Sequence, residues 1–300
     1  MGIRTILVAL GIALAVSALP ARAGLISSVV AFGDSLIDAG NTDLMPERPP
    51  QPPSPPYAGG RYTNGPTPTE RLAAGLGVPL ISYAIGGAQS GVGNIDVFTP
   101  TDCTQGPSAF CTGVQSQVAQ YLATNGAADV DALYVVMGGS NDFLALLGSQ
   151  DPLAQFNLVA GDVINNLVGT VATLYGAGAR QFLLPLLPDI GAAPAVADLA
   201  TKAAISGAML QVNAALGQAY MGLLATINDP GVEFMLFDTY AAQQALMPLY
   251  AVTDTACLQP DPNTVFSVCA NPASHFFWDD LHPTANVSAR LGRQLVELVV

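Results

Sequence analysis

Ser35 stands in a sequence context that could present a nucleophile at the end of a strand. The run Ser28–Phe32 is short, apolar and rich in valine, which predicts a strand covered on both faces. Gly33 permits a tight turn directly after it, so Ser35 is expected at the carboxyl edge of the sheet, where open α/β sheets bind their ligands. Because Gly-Asp-Ser is also an ordinary turn composition, this stretch alone would indicate no more than a turn.

A base that could activate Ser35 must come from one of the two histidines of the chain, His275 and His282. Ester hydrolysis through serine needs a base for the hydroxyl proton, a group that orients the base, and donors for the oxyanion. Asp279 precedes His282 by three residues in a turn, a spacing that lets a carboxylate and an imidazole of one short segment meet. His275 belongs to no motif and is interpreted as a loop residue or a neighbour of the pocket.

Four stretches of the chain together resemble the signature blocks of the GDSL, or SGNH, hydrolase family. They begin at Phe32, Tyr83, Met137 and Trp278 and read FGDSLIDAGN, YAIGGA, MGGSND and WDDLHPT. The resemblance spans about residues 28 to 298, and the first block is similar to that of the lipase-like branch, which includes many secreted esterases. Taken singly, the second block is also compatible with a strand-to-loop turn and the third with a helix cap.

The resemblance implies a role for each residue of a serine hydrolase site. It assigns Ser35 as the nucleophile, His282 as the general base and Asp279 as the partner of His282. Asp280 is a second carboxylate beside Asp279, but the D-x-x-H spacing selects Asp279.

The resemblance also implies three donors for the oxyanion. These are the backbone N–H of Ser35, the backbone N–H of Gly87 and the side-chain amide of Asn141, with Gly86 as the alternative glycine. Ser82 stands at the start of the second block, where the family often has asparagine.

Three polar residues of the first block have an expected structural role. We expect Asp34, Asp38 and Asn41 to hold the turn through hydrogen bonds from side chain to backbone, and not to bind a metal. No metal and no cofactor are expected for the reaction.

Apolar strands alternate with helical patterns along the rest of the chain. Further strands are predicted at Val78–Tyr83, Ala132–Met137, Gln181–Leu186 and Val232–Phe237. Helices are predicted at Thr69–Gly75, along the stripe from Val114 to Leu122, from Pro152 to Gly176, over Pro194–Ile227 as one helix or a pair, and from Thr284 onward. The alternation predicts a three-layer α/β/α domain with a five-stranded parallel sheet, which the resembled family orders 2-1-3-4-5 in a flavodoxin-like fold.

The N-terminal residues Met1–Ala23 have the form of a signal peptide. An apolar run, Ile6–Leu19, is followed by Pro20 and an A-x-A site that ends at Ala23. The run is too short for the ~20 residues that span a bilayer. No later segment is interpreted as long and apolar enough to span one, so residues 24–300 are expected to form one soluble domain, exported to a periplasm or secreted.

The charge and the cysteines narrow the partners and the compartment. The chain carries 22 acidic and 9 basic residues; without Arg4 and Arg22 the basic count is 9 − 2 = 7 and the net charge is −15. This charge would repel nucleic acid.

Two local cysteine pairs, Cys103/Cys111 and Cys257/Cys269, predict two loop disulfides. Metal binding by these cysteines is the weaker reading because neither spacing is C-x-x-C.

The segment Leu44–Thr69 contains nine prolines. A disordered linker is one interpretation. In the resembled family a loop at this place rims the active site and often carries a sequence like Gly60–Gly65, which favours a partly ordered rim loop.

The sequence therefore predicts an exported serine esterase or lipase that acts on small-molecule or lipid esters without inserting stably into a membrane. A polysaccharide deacetylase and a phospholipid acyltransferase are alternatives on the same machinery. A non-catalytic exported binding protein is the alternative outside the enzymes. The G-x-S-x-G elbow is absent, which disfavours the ordinary α/β-hydrolase fold.

Overall fold

A five-stranded parallel sheet forms the centre of the protein. The computed structural model describes residues 26–42, 52–95, 111–147, 152–196, 198–261 and 265–300. The strands, in the spatial order β2-β1-β3-β4-β5, are β1 (Val29–Phe32), β2 (Leu80–Ser82), β3 (Leu133–Val136), β4 (Gln181–Pro185) and β5 (Glu233–Phe237). The predicted sheet and its order are confirmed. The predicted signal peptide and Cys103 lie outside the described residues.

Helices cover both faces of this sheet and make it the middle of three layers. Helices α2, α4 and α5 pack on one face, and α1 and α7 pack on the other. Within the described residues the seven α-helices are α1 (Pro68–Leu76), α2 (Val114–Asn125), α3 (Ser140–Leu147), α4 (Pro152–Gly176), α5 (Leu199–Ile227), α6 (Thr239–Leu246) and α7 (Ala285–Val299).

Strand β1 is buried on both sides, as its composition predicts. Val30 and Phe32 point into the layer of α2, α4 and α5, whereas Val29 and Ala31 point into the layer of α1 and α7. All four side chains are at most 1% exposed. Alternate residues of a strand face opposite sides of a sheet, so a continuous apolar run is required here.

Several boundaries differ from the prediction. Strand β2 has only three residues and lies at one edge of the sheet, where Ile81 is 43% exposed. The pattern over Pro194–Ile227 forms one helix, α5, which begins after the N-cap Asp198. Helix α6 was not predicted.

A two-stranded antiparallel hairpin was also missed. Strands β6 (Leu258–Asp261) and β7 (Val265–Val268) pair beside the disulfide between Cys257 and Cys269. We interpreted this region as a loop because its sequence is rich in proline and asparagine. The local pairing predicted for these two cysteines is present, whereas the partner predicted for Cys111 is outside the described residues.

The expectation that no later segment could span a membrane is wrong as stated. Among the described residues one helical segment, Gln155–Gly176, is long and apolar enough, with 22 residues and a mean hydropathy of 1.2. Core helices of α/β domains meet the same criterion. Val163, Leu167, Val171 and Leu174 of this segment are at most 1% exposed and pack in the layer of α2 and α5.

Candidate active site

A tight turn after β1 holds Ser35 at the carboxyl edge of the sheet. The side chain of Gln117 in α2 clamps this turn: its Oε1 accepts from the Gly33 N–H and its Nε2 donates to the Gly33 carbonyl, both at 2.8 Å. A β-carbon at position 33 would lie 2.6 Å from Cδ1 of Ile37, so only glycine fits without movement. The Leu36 N–H donates to Oδ1 of Asp34 at 3.0 Å.

Asp38 holds the turn of the first block, as predicted, and Asp38 and Asn41 also join this turn to the second block. The Asp38 carboxylate accepts from the backbone N–H groups of Gly40 at 2.8 Å, Asn41 at 2.6 Å and Gly86 at 2.9 Å. The side-chain amide of Asn41 donates to the carbonyls of Ser82 at 2.9 Å and Ala84 at 3.0 Å. Asn41 thus supports the second block although Ser82 replaces the asparagine common in the family.

Ser35, His282 and Asp279 form a continuous line of hydrogen bonds. His282 Nε2 lies 2.8 Å from Ser35 Oγ, and His282 Nδ1 lies 2.8 Å from Oδ2 and 2.9 Å from Oδ1 of Asp279. The N–H groups of Leu281 and His282 donate to Asp279 Oδ1 at 2.9 and 2.7 Å, which closes the turn before α7. The three residues that the sequence singled out therefore lie together at one end of the sheet.

Opposing effects act on the pKa of Asp279. Burial raises it, but the charge and hydrogen bond of His282, with the N–H groups of Leu281 and His282, outweigh burial and hold the pKa below its ordinary value. Asp279 therefore faces His282 as a carboxylate at neutral pH, which favours the tautomer with the proton on Nδ1 and makes Nε2 the acceptor for the Ser35 hydroxyl.

Two tyrosines of the proline-rich segment complete the site and were not assigned from the sequence. The Tyr57 hydroxyl donates to Asp279 Oδ2 at 2.8 Å, and its ring packs edge-on against Trp278. The Tyr62 ring lies 5.1 Å from the His282 ring, centre to centre. The described part of the segment, residues 52–69, thus forms the expected rim. Tyr62 lies within the predicted Gly60–Gly65 sequence, and that sequence was the available signal.

The structure separates the two candidate glycines for the oxyanion. The Gly86 N–H donates to Asp38 Oδ2 at 2.9 Å and to Thr42 Oγ1 at 2.8 Å, so it is already used. The N–H groups of Ser35 and Gly87 find no acceptor among the described residues. The side-chain amide of Asn141 donates one hydrogen to the Ala88 carbonyl at 2.9 Å, and its second hydrogen has no acceptor among the described residues.

Neither of the two remaining candidates joins the site. His275 lies near the hairpin, with Nδ1 3.5 Å from Sγ of Cys269 and 3.2 Å from the Asn271 carbonyl oxygen. Asp280 accepts a backbone hydrogen bond from Ala195 at 3.0 Å through its own carbonyl. His275, Cys257 and Cys269 bring three possible metal ligands together, but both sulfurs are bound in the disulfide.

Asp34 is a buried carboxyl beside the nucleophile. Asp34 is only 1% exposed, and its Oδ2 has no hydrogen-bond partner among the described residues. Burial, against the hydrogen bond from Leu36 and the charge of His282, raises the pKa of Asp34 to about 6. Ionisation of the Asp34 carboxyl is therefore expected to destabilise the folded protein.

We expect Asp34→Asn to change the pH dependence of stability. Because the folded state holds the Asp34 proton up to about pH 6 and the unfolded state releases it near 3.8, wild-type stability falls relative to the variant as pH rises from 4 to 7. Between pH 4 and pH 7 the difference in unfolding free energy is expected to shift by about 2 kcal/mol in favour of the variant, because the unfolded state is already mostly ionised at pH 4.

Urea unfolding of both proteins at pH 4 and pH 7 measures this shift, with the exposed Asp131→Asn as the control. A difference that is the same at both pH values would contradict the assigned burial effect.

A single cavity of about 250 Å³ receives the candidate groups. Ser35, His282, Gly87 and Asn141 all line it, and Tyr62 lies at the same opening. Asp279 is absent from the lining because it lies behind His282. A serine with a hydrogen-bonded imidazole and three nearby N–H donors can carry out acyl transfer on an ester bound in this cavity.

Comparison with known proteins identifies a family for this chain. The family model of GDSL-like lipases and acylhydrolases matches residues 29–295. The thermolabile hemolysin of Vibrio parahaemolyticus is 28% identical over 91% of this chain and 63% of its own length, so the chain spans less than two thirds of that relative.

Two further relatives differ in their described activity. The phosphatidylcholine-sterol acyltransferase of Aeromonas hydrophila is 26% identical over 93% of this chain and 92% of its own length. An inactive GDSL esterase/lipase-like protein of Arabidopsis thaliana is 24% identical over 87% of this chain and 69% of its own length.

Proposed function

The chain belongs to the family of GDSL-like lipases and acylhydrolases, and on that premise we propose that it is an exported serine esterase or lipase working through an acyl-enzyme on Ser35. Family membership supports a carboxylic ester hydrolase. The observation that carries the proposed mechanism is the 2.8 Å contact between His282 Nε2 and Ser35 Oγ. The signal-peptide form of residues 1–23 supports export.

The proposed reaction begins when His282 Nε2 takes the Ser35 proton and Oγ attacks the ester carbonyl carbon. The carbonyl oxygen becomes an oxyanion that accepts from the N–H groups of Ser35 and Gly87 and from the Asn141 amide. The intermediate collapses when His282 returns its proton to the leaving alcohol, and the acyl group stays on Ser35. Water then attacks with His282 again as base, releasing the acid.

Asp279 and Tyr57 act on the base and not on the substrate. Asp279 holds the Nδ1 proton of His282 and stabilises the imidazolium that forms in each step. The hydroxyl of Tyr57 donates to Oδ2 of Asp279 at 2.8 Å and fixes the carboxylate from the rim loop. Every proton in this scheme is carried by a side chain or by water, so the mechanism uses no cofactor.

Acyl transfer is the second candidate within the enzyme class. The acyltransferase relative supports it, since only the second step would change, with an alcohol attacking in place of water. A polysaccharide deacetylase would use the same steps on an acetyl group. The inactive relative keeps a non-catalytic role in consideration, but here the contacts from Asp279 to Ser35 favour catalysis.

The acyl-enzyme is open to direct detection. When the protein is quenched with acid during turnover of p-nitrophenyl butyrate and then digested, we expect peptide mass mapping to find a butyryl group on the peptide that contains Ser35. The peptide should be unmodified in Ser35→Ala treated in the same way. Continuous turnover with an acyl group on another residue, or on none, would contradict the proposal.

A further inference from the structure

The cavity beside Ser35 extends well beyond the groups needed for catalysis. It continues from His282 into the layer between the sheet and helix α7. Its deeper walls come from β3, β5, α7 and the aromatic segment before α7: Val135, Phe237, Phe276, Phe277, Val287, Leu291 and Leu295.

The depth of this cavity follows from the helix that lines it. Val287, Leu291 and Leu295 occupy successive turns on one face of α7, and a rise of 1.5 Å per residue places the first and last about 12 Å apart. All three are at most 9% exposed. Since α7 begins just after His282, the cavity runs from the reacting atoms down along α7.

The chemistry of the walls suits a hydrocarbon chain. Besides Tyr62 and the candidate catalytic groups, six polar residues line the cavity: Asp34, which lies beside Ser35, and Thr69, Ser140, Asp189, Thr239 and Gln243. Gln243 is committed to the backbone of Asp189, accepting at 2.9 Å and donating at 3.1 Å. Thr239 adds one buried hydroxyl without a partner among the described residues. Apolar cavities of comparable size stay dry and bind apolar ligands.

We propose that this cavity holds the acyl chain of the ester and selects chains of medium length. The inference rests on the proposed function, because it requires the acyl carbonyl to be at Ser35. A water molecule in the liquid occupies ~30 Å³, and a methylene group is of similar size. A cavity of 250 Å³ therefore holds about eight methylene groups. An acetyl group would leave most of the cavity empty.

The expected result is a rising chain-length profile with a defined limit. For p-nitrophenyl esters from acetate to hexadecanoate, kcat/KM should increase about fourfold per methylene, the equivalent of ~0.8 kcal/mol at ~1.36 kcal/mol per tenfold. The increase should stop at about eight to ten carbons, where the cavity is full.

Substitutions at the end of the cavity test its location. Leu295→Phe should shorten the preferred chain by reducing the space, and Leu295→Ala should lengthen it. Leu298→Phe on the same helix, where the side chain is 41% exposed, is the control and should keep the wild-type profile. The readout is the ratio of dodecanoate to butyrate activity, because dodecanoate exceeds the expected wild-type limit, and this ratio is independent of the fraction of protein that folds.

The outcomes separate this inference from the function on which it rests. Opposite shifts of the ratio in the two Leu295 variants would support the cavity as the acyl site. An unchanged ratio in both, or highest activity on acetate, would overturn the acyl site while Ser35-dependent hydrolysis still supported the proposed function. Hydrolysis that persists in Ser35→Ala would instead overturn the function.

Discussion

Ser35→Ala is expected to lower kcat for p-nitrophenyl butyrate by about 10⁶-fold and to leave the fold unchanged. The substitution removes the proposed nucleophile, while the turn around it is held by Gln117 and Asp38 through other groups. The Ser35 side chain forms one hydrogen bond among the described residues, to His282 at 2.8 Å, so its loss costs little stability.

A serine far from the site provides the matched control. Ser27 precedes β1 at the opposite end of the strand, and its exposed hydroxyl donates to Asp129 Oδ2 at 2.8 Å. Ser27→Ala should keep wild-type activity, and circular dichroism and thermal unfolding should match for all three proteins. If carefully purified Ser35→Ala keeps more than a trace of activity, another nucleophile is at work.

The features predicted best were those encoded within a few neighbouring residues. The central strands β1 and β3 are apolar runs buried on both faces, so their composition alone indicates them. The line from Asp279 to His282 arises within one turn, so its spacing is visible in the sequence. Spacing could not predict that Ser35 contacts His282, because the two residues are 247 positions apart in sequence. The family resemblance indicated that pairing.

The features that were missed depend on contacts between distant or weakly patterned segments. The Tyr57 hydroxyl reaches Asp279 across 222 residues, and no local pattern indicates such a bond. Gly87 was the predicted glycine, but the contact that favours it over Gly86, namely that Asp38 and Thr42 accept from the Gly86 N–H, was not predicted. The cavity under α7 likewise arises from the way four elements pack, which sequence periodicity does not determine.

Asp279→Asn is expected to lower kcat by about 10⁴-fold, because it reverses the proton arrangement on His282. Two backbone N–H groups, of Leu281 and His282, donate to Oδ1 of Asp279. These donors fix the carbonyl oxygen of the introduced amide at the Oδ1 position, so its NH₂ group must occupy the position of Oδ2. That position lies 2.8 Å from His282 Nδ1.

The introduced NH₂ group would then donate to Nδ1 of His282, which moves the imidazole proton to Nε2 and removes the acceptor for the Ser35 proton. Steady-state kinetics on p-nitrophenyl butyrate measure the loss, and Asp280→Asn is the control that alters the neighbouring carboxylate alone. If Asp280→Asn causes the loss and Asp279→Asn does not, the orienting carboxylate has been misassigned. Equal, full activity in both variants would mean that His282 keeps its tautomer without either carboxylate.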